Sequence, residues 1–119
     1  MKKKTICLDI DGILCETKKN DYKKSKPKKK VISFINQLNK EYRIIIFTAR
    51  FMGRNNDTKY KAKKNGYQIT KNQLKKWGLK FEKLYFGKPS YDIFIDDKNL
   101  GHKKNWLHEL KKKVKRNQI

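Results

Sequence analysis

Thr5-Ile6-Cys7-Leu8-Asp9-Ile10-Asp11-Gly12 is the stretch whose reading decides the fold. A short apolar run ends abruptly on two carboxylates and a glycine. Such a run, bounded by a turn residue, suits a strand, Thr5–Ile10, covered on both faces. Asp9 and Asp11 stand two residues apart, so on an extended chain both side chains face the same way. Gly12 then allows a sharp turn and lets an anion come close to the backbone.

Working outward, three further segments resemble the first. Arg43–Thr48, containing Ile44-Ile45-Ile46-Phe47, predicts a second strand. Lys83–Phe86 predicts a third, and Asp92–Ile95, followed by Asp96-Asp97, a fourth. Helical spacing separates them. Val31, Phe34, Ile35, Leu38 and Tyr42 recur at three and four residues after Pro27, which predicts a helix over Lys28–Lys40. Thr70 and Gln73 have the form of a capping box ahead of Leu74 and Trp77, with Gly78 as the stop. Trp106, Leu107, Leu110 and Val114 share one face of a last helix. This order predicts an α/β domain around a mostly parallel sheet flanked by helices, with residues 1–119 forming one domain. Leu14–Lys26 is polar and reads as a flap or hairpin. Phe51–Ile69 holds Gly53, Asn55, Asn56, Asn65 and Gly66, and reads as a long loop.

The formal net charge is +22. Such a charge is compatible with nucleic acid as a partner, because phosphates reward clustered positive charge. The basic residues are 29 Lys and 4 Arg, however. A dedicated phosphate reader favours the forked guanidinium, so a solubilising lysine surface is the simpler reading. No apolar run reaches membrane-spanning length, and the basic start has too short an apolar continuation for a signal peptide. The expectation is a cytoplasmic protein without membrane association. Cys7 and Cys15 have neither a metal-ligand spacing nor a disulfide framework.

The polar residues carry the chemistry through their positions. Asp9 and Asp11 end the first predicted strand, and Thr48 ends the second. Lys88 follows the third across Gly87, and Asp96 and Asp97 end the fourth. Ligands of open parallel α/β sheets bind at the carboxyl ends of the strands, so these residues should converge. Each alone has a plainer reading as a turn, a cap or one more surface lysine. A calcium loop is ruled out by the missing later ligands and closing Glu.

Together these segments resemble the haloacid dehalogenase-like hydrolases. Asp9-Ile10-Asp11-Gly12, Phe47-Thr48-Ala49-Arg50, Gly87-Lys88-Pro89 and Ile95-Asp96-Asp97 match the motifs of that superfamily in order, from about Lys4 to Asn99. Within it, the chain looks like the small capsule- and lipopolysaccharide-biosynthesis-type phosphatases. Ile13 departs from the Thr or Val often found after the glycine, a change for packing more than chemistry. The resemblance implies a Rossmann-like core and a phosphomonoester hydrolase using an aspartyl-phosphate. It implies that Asp9 is the nucleophile, Asp11 the general acid and base, and Thr48 and Lys88 phosphoryl contacts. Mg²⁺ would be held by Asp9, the Asp11 carbonyl and Asp96, with Asp97 behind them. Gly12 and Arg50 are candidate substrate contacts, although an ion pair within the fold suits Arg50 equally. Many relatives insert a cap domain where this chain has only short segments. The site is therefore expected to be open, or closed by a neighbouring subunit in a homo-oligomer. The expected substrate is a small phosphorylated metabolite, a sugar phosphate or nucleotide. The alternatives are a phosphatase of nucleic-acid ends and a catalytically idle binding protein.

Overall fold

Apolar β-branched runs form the sheet. A computed structural model describes residues 2–119. Strand β1 spans Thr5–Leu8, and a short antiparallel hairpin follows, β2 at Cys15–Glu16 with β3 at Lys26–Pro27. Helix α1 covers Lys29–Leu38 and leads into strand β4, Arg43–Phe47. Helix α2 covers Lys59–Lys76, strand β5 Lys83–Tyr85 and helix α3 Trp106–Lys115. The main sheet has the order β1-β4-β5 and is parallel throughout, with Leu8 opposite Ile46 and Phe47 opposite Tyr85.

The core lies on one face of this sheet. Ile44 and Ile46 of the central strand are fully buried, as are Ile35 of α1 and Leu74 of α2. Leu8, Leu84, Trp106 and Leu110 join the same cluster. Each such side chain contributes about 1.5–3 kcal/mol by leaving water. Asn36 ties α1 to the end of α2, donating to the Gly78 carbonyl at 2.8 Å and accepting from the Lys80 amide at 2.8 Å. Gly78, at φ +79°, takes the left-handed conformation that ends α2.

The hairpin, α1, α3 and three of the expected strands lie close to their sequence-based positions, and four expectations are corrected. The second half of the segment read as a loop, Phe51–Ile69, is helical from Lys59 onward. Its buried stripe is Ala62, Gly66, Thr70 and Leu74, four residues apart. Mostly small residues hide a helical period, and a Cβ on Gly66 would overlap the Phe51 ring packed there. Thr70 is consequently a buried mid-helix residue and caps nothing.

The fourth strand, Asp92–Ile95, does not form. The segment has no ladder partner, and Ile93 and Ile95 are 78% and 90% exposed. Local contacts hold it instead. The Tyr91 and Phe94 rings pack at 5.2 Å from each other, and both face the Lys88 ammonium, at 5.2 and 5.0 Å. Coverage of the sheet on both faces is also corrected. Along β4, burial alternates, with Arg43, Ile45 and Phe47 only half-buried.

Candidate active site

The end of β1 delivers the first group. Asp9 follows Leu8 directly, and its Oδ1 accepts the Ile10 amide at 2.7 Å. The chain then reverses tightly, with the Ile13 and Leu14 amides donating to the Ile10 carbonyl. Gly12 makes this reversal at φ +85°, and its carbonyl accepts from Lys28 Nζ at 3.1 Å. Beyond β5, Gly87 leads to Lys88, whose amide donates to the Thr48 carbonyl at 3.2 Å. That bond ties the ends of β4 and β5 together and sets Lys88 Nζ 3.5 Å from Asp9 Oδ2.

The electrostatics of this pair follow from its burial. Loss of water pushes the Asp9 carboxyl above the ordinary aspartate range, although Lys88 and the Ile10 amide pull the other way. Burial also works against the charge on Lys88, but Asp9 and Tyr91 outweigh it and hold the ammonium above the usual lysine value. Desolvation therefore costs the ionised Asp9 more than one ammonium returns.

Asp11 has a different partner. Arg50 Nε donates to its Oδ2 at 3.0 Å and Nη2 to its Oδ1 at 2.9 Å. The Thr17 hydroxyl donates to Oδ1 at 2.5 Å and pairs with the Ser25 hydroxyl at 2.6 Å. Arg50 is itself anchored, with Nη1 donating to Gln73 Oε1 at 2.6 Å. Gln73 Nε2 donates in turn to the Tyr22 carbonyl at 2.7 Å, and the guanidinium lies 4.8 Å from the Tyr22 ring centre. Cys15 sits beneath, its thiol pushed up by burial and within 3.6 Å of Asp11 Oδ1. The Arg50 side chain is 1% exposed and that of Asp11 28%. Of the two readings open for Arg50, the internal ion pair is the one observed.

Thr48 stands at the end of β4 but is fully buried, and its Oγ1 accepts the Arg50 amide at 3.0 Å. It fixes the turn that carries Arg50. Asp96 and Asp97 lie on an exposed turn and, among the described residues, make no hydrogen bond or ion pair with Asp9, Asp11 or Lys88. The Lys98 amide donates to Asp96 Oδ1 at 3.0 Å, and that bond holds the Asp96 carboxyl below the usual range. Among the described residues no cluster of three or more His, Cys, Asp or Glu side chains forms a ready metal cage. The arrangement thus brings together Asp9 with Lys88, and Asp11 with Arg50, and leaves Asp96 and Asp97 outside both pairs.

No protein-family model matches the chain, and no curated protein matches it. The fold is similar to that of a target protein from Vibrio cholerae known from a crystal structure. The TM-score is 0.76 at 25% identity, over 93% of this chain and 98% of that one. The chain is a small α/β protein with a parallel three-stranded sheet and three helices. Among the described residues, no helix is long and apolar enough to cross a membrane.

Sequence reasoning missed Thr17, Tyr22, Ser25 and Gln73, the residues that hold Arg50 and Asp11. Thr17 and Ser25 carried a faint signal as small hydroxyl residues inside a lysine-rich hairpin. Gln73 was seen only as half of a cap, and no local pattern connects it to Tyr22, 51 residues away.

Proposed function

We propose that this chain is a magnesium-dependent phosphomonoesterase on a haloacid dehalogenase-like core without a cap, with Asp9 as nucleophile. The observation that carries the reading is the meeting of Asp9 and Lys88. They lie 79 residues apart in sequence and 3.5 Å apart in space, beyond the carboxyl ends of β1 and β5. The match of the segments around Asp9, Thr48, Lys88 and Asp96 to the motifs of that superfamily supports it.

In this reading an Asp9 oxygen attacks phosphorus, the bond from phosphorus to the ester oxygen breaks, and an aspartyl-phosphate forms. Asp11 gives a proton to the leaving oxygen and takes one from the water that attacks the intermediate. That second step releases phosphate and restores Asp9. Lys88 neutralises charge on the transferring group, usually a large part of catalysis in phosphoryl transfer. Arg50 and Thr17 aim the Asp11 carboxylate, and Thr48 holds the turn behind it.

The donors fit Mg²⁺ in kind. The Asp9 carboxylate and Asp11 carbonyl are hard oxygens, and the desolvated Asp9 lacks compensating charge. Asp96 would be the next ligand, a role that rests on the sequence resemblance. A bound Mg²⁺ supplies the neutralisation that lets an anionic phosphate approach two carboxylates. The substrate class is a compact monoester, a sugar phosphate or nucleotide, reached through a site bordered by the short β2–β3 hairpin.

The test is turnover of a panel of phosphate monoesters with Mg²⁺, using wild type and Asp9→Asn. The substitution should lower kcat by about a thousand-fold or more and leave the circular dichroism spectrum unchanged. An Asp9→Asn protein as active as wild type, or a wild type inactive on the whole panel, overturns the reading.

A further inference from the structure

One surface feature lies outside the catalytic reading. Two shallow grooves, of about 410 and 380 Å³, run along the outer side of α1 and share Lys29. The first is a furrow between α1 and the end of α2, edged by Lys29, Lys40 and Lys80; the second lies on the opposite flank of α1 beside Lys111, and no residue lining either is acidic. Two aromatic side chains interrupt the lysines. Trp77, half-buried, lines one groove, and Phe34 lines the other with Lys111 Nζ 5.2 Å from its ring centre.

We infer that this furrow binds single-stranded nucleic acid. From Lys29 to the end of α1 at Leu38 the furrow runs roughly 14 Å at about 1.5 Å per residue, with Lys40 just beyond. That accommodates about four stacked nucleotides at roughly 3.4 Å each. Lysines along the edges meet phosphates, and the face of Trp77 accepts a base, the combination that binds single strands without reading sequence. An acidic peptide would match the charge but leave the aromatic face of Trp77 without a flat partner. The direction of the chain places the furrow. Strands β1 and β4 are parallel, so α1 between them runs back, and its N-terminus lies at the carboxyl ends of the strands. The furrow therefore starts next to Lys28, the residue whose Nζ bonds Gly12. The inference does not depend on the phosphatase reading, because its test measures binding alone.

The experiment titrates the full chain with an oligothymidylate eight nucleotides long and follows tryptophan fluorescence at several salt concentrations. Trp77 should be quenched, and Trp77→Phe should remove the quenching while binding, read by anisotropy of a labelled strand, changes little. Changing Lys29, Lys40 and Lys80 to Gln should weaken binding at least ten-fold near 0.1 M salt. It should also reduce the log–log salt slope by about 2, at roughly 0.7 per phosphate on a single strand. A control triple, Lys23, Lys61 and Lys64 to Gln, removes the same charge from exposed positions elsewhere, and should cost less than about three-fold. Equal losses in the two triples overturn the inference, since binding would then follow net charge alone. Quenching of Trp77 by polyglutamate as strong as that by the oligonucleotide overturns it too.

Discussion

Replacing Arg50 by Met removes the charge that faces Asp11 while keeping most of the side-chain volume. Breaking a buried ion pair from one side costs about 3–5 kcal/mol, because the other charge is left without a partner. Asp11 retains 28% exposure of its side chain, so water recovers part of that cost. Loss of the bond to Gln73 Oε1 adds to it, since the oxygen is left unpaired. The low end, about 3 kcal/mol, is the expected loss. At about 2.1 cal/mol/K of unfolding entropy per residue, the 119 residues give about 0.25 kcal/mol/K. The Tm should therefore fall by about 12 °C. Urea unfolding read by tryptophan fluorescence should show a lower midpoint at unchanged slope. The double variant Arg50→Met/Asp11→Asn should lose less than the two single losses combined, because the pair is removed together. A loss below about 1 kcal/mol, the scale of an exposed pair, or strict additivity, would refute the described clamp.

Thr70 Oγ1 is buried without a hydrogen-bond partner; Thr70→Val should therefore raise stability by about 1 kcal/mol, measured by the urea midpoint, and destabilisation would mean the hydroxyl is satisfied. Asp9, raised by burial, should titrate above the ordinary aspartate range in the metal-free protein, as followed by its carboxyl ¹³C shift. The sign is that the folded state holds this proton more tightly than the unfolded one. Stability from this group is thus greatest below the unfolded pKa and declines as pH rises through the folded one, while activity, which needs the carboxylate, falls as pH drops through it. A normal or lowered Asp9 value would contradict the desolvated environment. Asp96→Ala should raise the Mg²⁺ concentration for half-maximal activity by about ten-fold or more, as expected for loss of one of few carboxylate ligands; an unchanged half-saturation point moves the ligand role away from Asp96.

What the sequence made legible were features with a local pattern. The runs at Thr5, Arg43 and Lys83 were readable as continuous apolar stretches, and the stripe of α1 because burial leaves a mark every three to four residues. The first half of α2 left no such mark, since Ala62, Gly66 and Thr70 bury a face without large apolar side chains. Asp92–Ile95 was composed like a strand, yet Tyr91 and Phe94 gather on Lys88 through local contacts that composition does not encode. For the site, the motif positions indicated which residues stand at strand ends, and Asp9 and Lys88 do meet. The partner of Asp11 was less legible. Arg50 reaches it across 39 residues, and the Gln73 and Tyr22 groups that anchor Arg50 belong to other elements. Charge was legible as a total, but only the fold gathers Lys29, Lys40 and Lys80 beside Trp77.

The central claim is that Asp9 becomes covalently phosphorylated. The direct measurement is to mix the protein with Mg²⁺ and a monoester it turns over, quench in acid within the first turnover, and map the digest by mass spectrometry. The account predicts one phosphoryl group on the peptide carrying Asp9, absent from Asp9→Asn. A phosphoryl group on another residue, or turnover by Asp9→Asn at the wild-type rate, would contradict it.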